Sequence, residues 1–171
     1  KLKTTVEATD VLLEKKVKDL FRDSKVLSET ELLSRANIKY ERYANQAIID
    51  SKTRSHRARK QYLPSINKYL GKLANEIKDL KEAGIPVPIT TFDTAKKISA
   101  LLEEAGKATD ALDGLLEEAK NFHGRDLAIF SRDQLLPARH ALRSPIDQLE
   151  LLVSKEDWPV PSYGDLLFHI I

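Results

Sequence analysis

The sequence predicts an all-α protein: an antiparallel bundle of long, coiled-coil-like helices, with a short N-terminal helix and a Pro/aromatic C-terminal tail. Three observations predict it. Charged residues make up 32% of the chain, against 42% hydrophobic and only 6% aromatic, the balance of long amphipathic helices rich in Ala, Leu, Glu and Lys. One stretch, Ala95, Ile98, Leu102, Ala105, Thr109, Leu112, Leu116 and Ala119, alternates steps of three and four, which is the seam of a coiled coil. Aromatic, Pro and Gly punctuation gathers at one place, residues 157–171, which holds the one tryptophan.

The elements follow in order. Residues 1–27 read as an extended lead-in, Lys1–Thr5, then a helix over Asp10–Arg22 capped by Thr9, with Leu13, Val17, Leu20 and Phe21 on one face. Asp23–Leu27 is a turn. Ser28 and Glu31 form the Ser-x-x-Glu pattern of a capping box, in which each side chain satisfies an orphan backbone donor of the other.

The bundle proper is expected over residues 28–156. From Glu29 few stops occur before Gly84, a good C′ residue followed by Pro86 and Pro88. Leu33, Ala36, Tyr40, Tyr43, Ala44, Ala47 and Ile48 form a first stripe. Ile66, Tyr69, Leu70, Leu73, Ala74, Ile77 and Leu80 form a second. Pro64 lies between them and predicts a kink or break. Asp50–Lys60 holds no large apolar residue, so this part of the helix is expected to leave its own core. Thr91 is placed as the cap of Phe92–Phe122, whose seam Leu101 and Leu115 widen. Gly106 and Gly114 weaken that helix and Gly124 stops it. The last helix is expected over Asp126–Ser154, with Leu135, Ala138, Leu142, Ile146, Leu149 and Leu152 facing inward. Pro137 and Pro145 imply kinks there, or a restart at Pro137.

Residues 157–171 are the tail. Pro159 and Pro161 hold Trp158–Pro161 stiff and extended, and Ser162 is placed as the cap of a last turn, Tyr163–Phe168. Trp158, Pro159, Tyr163, Leu166, Leu167 and Phe168 are candidate docking residues, either on the chain's own bundle or on a partner.

Little in the sequence points to chemistry. The chain has no Cys, which removes disulfides and thiolate metal sites. His56, His123, His140 and His169 make no ligand-spaced pair. Glu103, Glu104, Glu117 and Glu118 flank the apolar seam as a solvated face would. No phosphate loop or nucleophile elbow occurs. Lys52, Arg54, Arg57, Arg59 and Lys60, with His56, form a basic run without an acid. With net charge +2 overall and no aromatic residue interleaved, the run is expected to be a polar interface with an adjoining domain or subunit, and no nucleic acid is expected. No apolar run is long enough to span a membrane, so the expected setting is cytoplasmic. The sequence contains no Met, even at position 1, and is read as a piece of a longer protein.

One resemblance adds to this. Trp158-Pro-Val-Pro-Ser-Tyr-Gly-Asp-Leu-Leu-Phe168 is similar to the closing Trp-Pro-Phe-Pro-Thr-Tyr-Gly-(Asp/Glu)-Leu-Leu-Phe of the type III glutamine synthetases, the large bacterial form. Leu2-Lys-Thr-Thr5 resembles that family's lead-in after its catalytic barrel. Val26-Leu-Ser-Glu-Thr-Glu-Leu-Leu-Ser-Arg35, with Tyr40 and Tyr43, and Lys60-Gln-Tyr-Leu-Pro64 resemble further stretches. The chain departs from the family's more apolar pattern at Gln46–Arg57. The resemblance implies a parent that ligates ammonia to glutamate with ATP and Mg, in oligomeric rings. It implies that this chain is the C-terminal helical domain, with no catalytic, cofactor or metal residue of its own. Its partners would be the upstream catalytic domain and neighbouring subunits. The competing expectation is a stand-alone helical adaptor.

Overall fold

The computed structural model describes residues 2, 4–161 and 163–168. Among them there are helices and turns and no strand, as an all-α bundle requires. The helices are α1 (Thr5–Leu12), α2 (Lys15–Asp23), α3 (Glu29–Arg57), α4 (Leu63–Glu82), α5 (Ile89–Glu118), α6 (Gly124–Phe130), α7 (Leu136–Glu150) and α8 (Tyr163–Phe168). A π-helical segment, Ala58–Tyr62, joins α3 to α4, and a second, Ser131–Leu135, joins α6 to α7.

Two compact units divide the chain. One comprises Lys1–Thr53 and Leu112–Arg139, the other Arg54–Ala111 and His140–Ile171. The first has a core of Val6, Ala36, Tyr40, Ala44 and Ala128, against which Leu13, Tyr43, Leu127 and Ile129 pack. Helix α1 contacts α2 and α6, and Phe122 stacks on Phe130 with ring centroids 4.7 Å apart. In the second unit the buried apolar residues include Ile66, Leu73, Ile98, Leu101, Leu142, Ile146 and Leu149.

The N-terminal reading needs correction. The first helix starts at Thr5, not Asp10, and breaks at Leu13 and Glu14. Thr9 is no cap: it is buried inside α1, and its hydroxyl donates to the Thr5 carbonyl at 2.7 Å. That back-bond satisfies the hydroxyl within the helix. Val6, which the sequence reading assigned to no helix, is a core residue. Lys1 and Lys3 lie outside the described residues.

The capping box is found as expected. Ser28 N–H donates to Glu31 Oε2 at 2.8 Å, and Glu31 N–H donates to Ser28 Oγ at 3.2 Å. The bonds from the Ser28 backbone and hydroxyl hold the Glu31 carboxyl below its ordinary value. Before it, α2 ends in a Schellman turn: Val26 N–H reaches the Phe21 carbonyl and Lys25 N–H the Arg22 carbonyl. Lys25 occupies the left-handed position, at φ 55°. Helix α4 ends in the same way, Ile85 bonding to Leu80 and Gly84 to Lys81, with Gly84 at φ 70°.

Pro64 lies in the first turn of α4, and the π segment carries the helical path from α3 into it without a gap. Leu63 N–H donates to the Ala58 carbonyl, five residues back. Pro137 repeats this arrangement: Leu136 N–H donates to the Ser131 carbonyl. In both cases the π turn closes on the residue just before the proline. A proline lacks the N–H for the carbonyl four residues back, and its ring crowds that carbonyl. The wider turn accommodates both effects. The two sites share a local sequence, Arg59-Lys-Gln-Tyr-Leu-Pro64 and Arg132-Asp-Gln-Leu-Leu-Pro137, or Arg-x-Gln-x-Leu-Pro. Pro145 lies buried inside α7 without ending it.

The expectation that the helix leaves its core around residues 50–60 is overturned. Ser51, Ser55 and Ala58 are 0, 5 and 1% exposed, and they continue the buried row of Leu32, Ala36, Tyr40, Ala44 and Ala47. The stripe does not stop; it shrinks to small side chains. Ser51 can be buried because its hydroxyl donates to the Ala47 carbonyl at 2.6 Å. Leu32, not Leu33, belongs to the row, and Leu33 is exposed.

Helix α5 begins at Ile89, before the expected cap Thr91, whose N–H is taken by the Pro88 carbonyl at 3.1 Å. Its seam is largely as read, with Ile98, Ala105, Thr109, Leu112, Leu116 and Ala119 buried. Leu101 is buried more fully than Leu102. After a short 3₁₀ turn, Ala119–Asn121, the chain turns at His123, and Gly124, at φ 55°, opens the next helix instead of ending the last.

Candidate functional site

The tail begins where α7 ends at Glu150. Asp157 N–H donates to the Ser154 carbonyl and Trp158 N–H does the same, while Ser154 Oγ donates to Asp157 Oδ2 at 2.8 Å. Lys72 Nζ of α4 donates to Asp157 Oδ1 at 2.5 Å. Lys72 and then Ser154 hold the Asp157 carboxyl below its ordinary value, and Asp157 raises Lys72. The Trp158 ring lies 5.3 Å from that of Tyr62, tilted by 31°. Farther on, Lys155 Nζ donates to Asp165 Oδ1 at 2.6 Å, across to α8.

These contacts frame an indentation of about 420 Å³. Val153, Trp158, Pro159, Val160 and Pro161 supply its apolar wall, and Glu150, Lys155 and Asp165 its charged rim. The indole Nε1 is buried with no hydrogen-bond partner among the described residues.

The structure separates the expected docking residues. Trp158 and Pro159 are half-buried. Leu166, Leu167 and Phe168 are 67, 74 and 78% exposed, three consecutive large apolar side chains in water. The backbone of Tyr163 opens α8 as read, but its side chain and the expected cap Ser162 lie outside the described residues, as does His169.

Of the basic run, Lys52, Arg57, Arg59 and Lys60 are exposed and Arg54 is half-buried. Arg59 pairs with Asp110 at 2.7 Å. His56, His123 and His140 are exposed, as are Glu103, Glu104, Glu117 and Glu118. Among the described residues no group of three or more His, Asp or Glu is placed to hold a metal, and no helix is long and apolar enough to cross a membrane.

One constellation escaped the sequence reading. Asp10 of α1 accepts from Tyr40 Oη of α3 at 2.5 Å and from Arg125 of α6 through Nε and Nη2, at 2.8 and 2.9 Å. Arg132 lies 3.8 Å from Glu7 of α1. Arg125 lowers the Asp10 carboxyl, burial works against it, and Tyr40 lowers it further. Burial and the Asp10 carboxylate push the Tyr40 hydroxyl up to about 12. A bidentate guanidinium–carboxylate pair fixes orientation as well as distance, so the cluster ties three helices in one unit. These residues are 30 and 115 apart in sequence, and no local pattern pairs them.

Comparison with known proteins bears on what this unit belongs to. Residues 1–81 match the family described as "Glutamine synthetase C-terminal domain". The match covers α1 to α4, including the capping box, the small-residue row and the first π turn. A type-3 glutamine synthetase of Dictyostelium discoideum is 26% identical over 98% of the chain. A glutamine synthetase of Bacteroides fragilis (strain YCH46) is 24% identical over 84%, and one of Butyrivibrio fibrisolvens is 28% identical over 89%. The chain spans 24, 21 and 22% of these glutamine synthetases, respectively, so under a quarter of their length.

Proposed function

We propose that the chain is the C-terminal helical domain of a type III glutamine synthetase, and that it serves as a structural brace for subunit contacts instead of carrying out catalysis. The observation that carries this reading is the likeness, over 98% of the chain, to a type-3 glutamine synthetase about four times as long. In this reading the parent ligates ammonia to glutamate with ATP and Mg in the cytoplasm. The residues that would hold nucleotide, metal and glutamate lie elsewhere in the parent. The donor sets among the described residues do not fit a metal, and no chemical step is assigned to this chain.

The brace has two parts. The Asp10–Tyr40–Arg125 cluster holds α1, which follows the lead-in, in a fixed orientation on α3 and α6. A helix that enters a domain through a bidentate ion pair transmits its position to whatever precedes it. In the tail, Leu166, Leu167 and Phe168 present apolar area that a neighbouring subunit or the catalytic domain would cover.

The test is direct. The 171-residue chain, folded and helical by circular dichroism, is assayed for ATP-dependent amide synthesis and for γ-glutamyl transfer. Neither activity is expected. Transfer by the isolated chain would overturn the reading, and so would a coding sequence with no catalytic domain upstream of the Lys1 codon.

A further inference from the structure

From Ser51 to Asn75 the sequence has no Asp or Glu, yet it has Lys52, Arg54, Arg57, Arg59, Lys60, Lys68 and Lys72. Elsewhere several exposed cations are neutralised locally: Arg22 with Asp19, Lys78 with Glu82, Lys107 with Glu103 and Arg143 with Asp147. Here Arg57, Lys60 and Lys68 have no acid three or four residues away on the helix to do so. Within the second unit, two of the cations find acids on other elements, Arg59 on Asp110 and Lys72 on Asp157. Arg57, Lys60 and Lys68 remain, exposed and without an ion pair among the described residues. Their spacing of three and eight residues puts them in one helical row. His56 is exposed beside it, while Ser55, Ala58, Ile66 and Leu73 turn inward. At 1.5 Å per residue the row is about 16 Å long.

We propose that this row docks a short acidic patch on the surface of a partner protein, two or three carboxylates spread over about three helical turns. Charge complementarity selects the sign. The helix itself limits the length: Glu76, Asp79 and Glu82 follow on α4 and are exposed. The first of them lies about 12 Å beyond Lys68. A continuous polyanion such as duplex DNA, with a charge every ~1.7 Å of its axis, would run onto those carboxylates. A patch of protein length would not. The inference stands whether or not the parent is a glutamine synthetase.

The experiment measures binding of the chain to a labelled octa-glutamate peptide, and to a duplex of about 20 base pairs, by fluorescence anisotropy at two salt concentrations, ~50 and ~300 mM. The peptide is expected to bind at low salt and to weaken at high salt. Arg57→Gln with Lys60→Gln should lower peptide affinity about tenfold. The pair Lys81→Gln with Lys97→Gln removes the same charge from other exposed positions and should change it less than about twofold. All variants are checked for unchanged helicity, and the glutamine pair replaces exposed side chains only. Absence of peptide binding overturns the proposal, and so do equal losses from both variant pairs. Tighter binding of the duplex than of the peptide at either salt also overturns it, and assigns the row to nucleic acid.

Discussion

Tyr40→Phe isolates a single bond in the three-helix cluster. The phenol is buried in the core and its hydroxyl meets Asp10 Oδ1 at 2.5 Å. Removing one oxygen leaves a ring of the same shape, so packing is preserved and the cavity term is small. A hydrogen bond to a charged group contributes about 1.5–3 kcal/mol. Asp10 is 34% exposed and keeps both Arg125 bonds in the variant, which places the expected loss near the low end, about 1–2 kcal/mol. The readout is the urea midpoint followed by far-UV circular dichroism, with the slope unchanged. The pH dependence gives a second, independent check. The folded Asp10 carboxyl titrates below its ordinary value. Its contribution is therefore present above the unfolded value of about 3.9, and is lost as pH falls through the lower, folded value. Tyr40 has the opposite sense. Raised to about 12, it stabilises below its unfolded value of about 10 and loses that contribution as pH rises through the folded one. The gap between wild type and Tyr40→Phe should hold at neutral pH and narrow at the acid end. A variant as stable as wild type at neutral pH, or a gap that stays constant on acidification, would refute the reasoning. So would strict additivity of Tyr40→Phe with Arg125→Gln, since groups sharing one carboxylate should couple by about 0.5 kcal/mol or more.

Other expectations follow from the same structure. Lys25→Gly should raise stability by about 0.5–1 kcal/mol in chemical denaturation, because φ 55° strains a lysine and suits a glycine. Gly114→Ala should raise it by about the same amount, since a Cβ there meets nothing within 4 Å and alanine is the better helix former. Ser51→Leu should cost about 1–3 kcal/mol by overpacking a fully buried position, read as a lower melting temperature. Trp158→Ala should cost about 1.5–3 kcal/mol, less than for a fully buried ring, because the indole is only half-buried against Tyr62; the same thermal scan measures it.

The helical class, the Ser28–Glu31 box, the Gly84 stop and the α5 seam were legible because each is written in neighbours three or four residues apart. The small-residue row was not. Size, not polarity, marks Ser51, Ser55 and Ala58 as interior, and serine counts as polar until its hydroxyl is seen bonding back to its own helix. The start of α1 was missed because Thr9 resembles a cap and is in fact a helix-interior threonine satisfied in the same manner. At the tail, the last helix over Tyr163–Phe168 was legible, whereas Trp158–Pro161, expected to run extended, bends at Pro159 and Val160. Which of the tail's apolar residues turn inward was not legible, because burial there depends on Tyr62 and Lys72, far away in sequence. The pairing of Asp10 with Arg125 is tertiary in the same sense.

The twin Arg-x-Gln-x-Leu-Pro sites make a point about length variation. At Ala58–Tyr62 and Ser131–Leu135 the backbone already carries one residue more per turn than an α-helix uses. Losing a single residue elsewhere in α3, α5 or α7 would swing everything downstream by about 100° and turn interior groups outward. Loss of one at either wide turn would bring local winding back to the ordinary pitch, with the proline left to object. Related chains that differ by one residue should place the gap there.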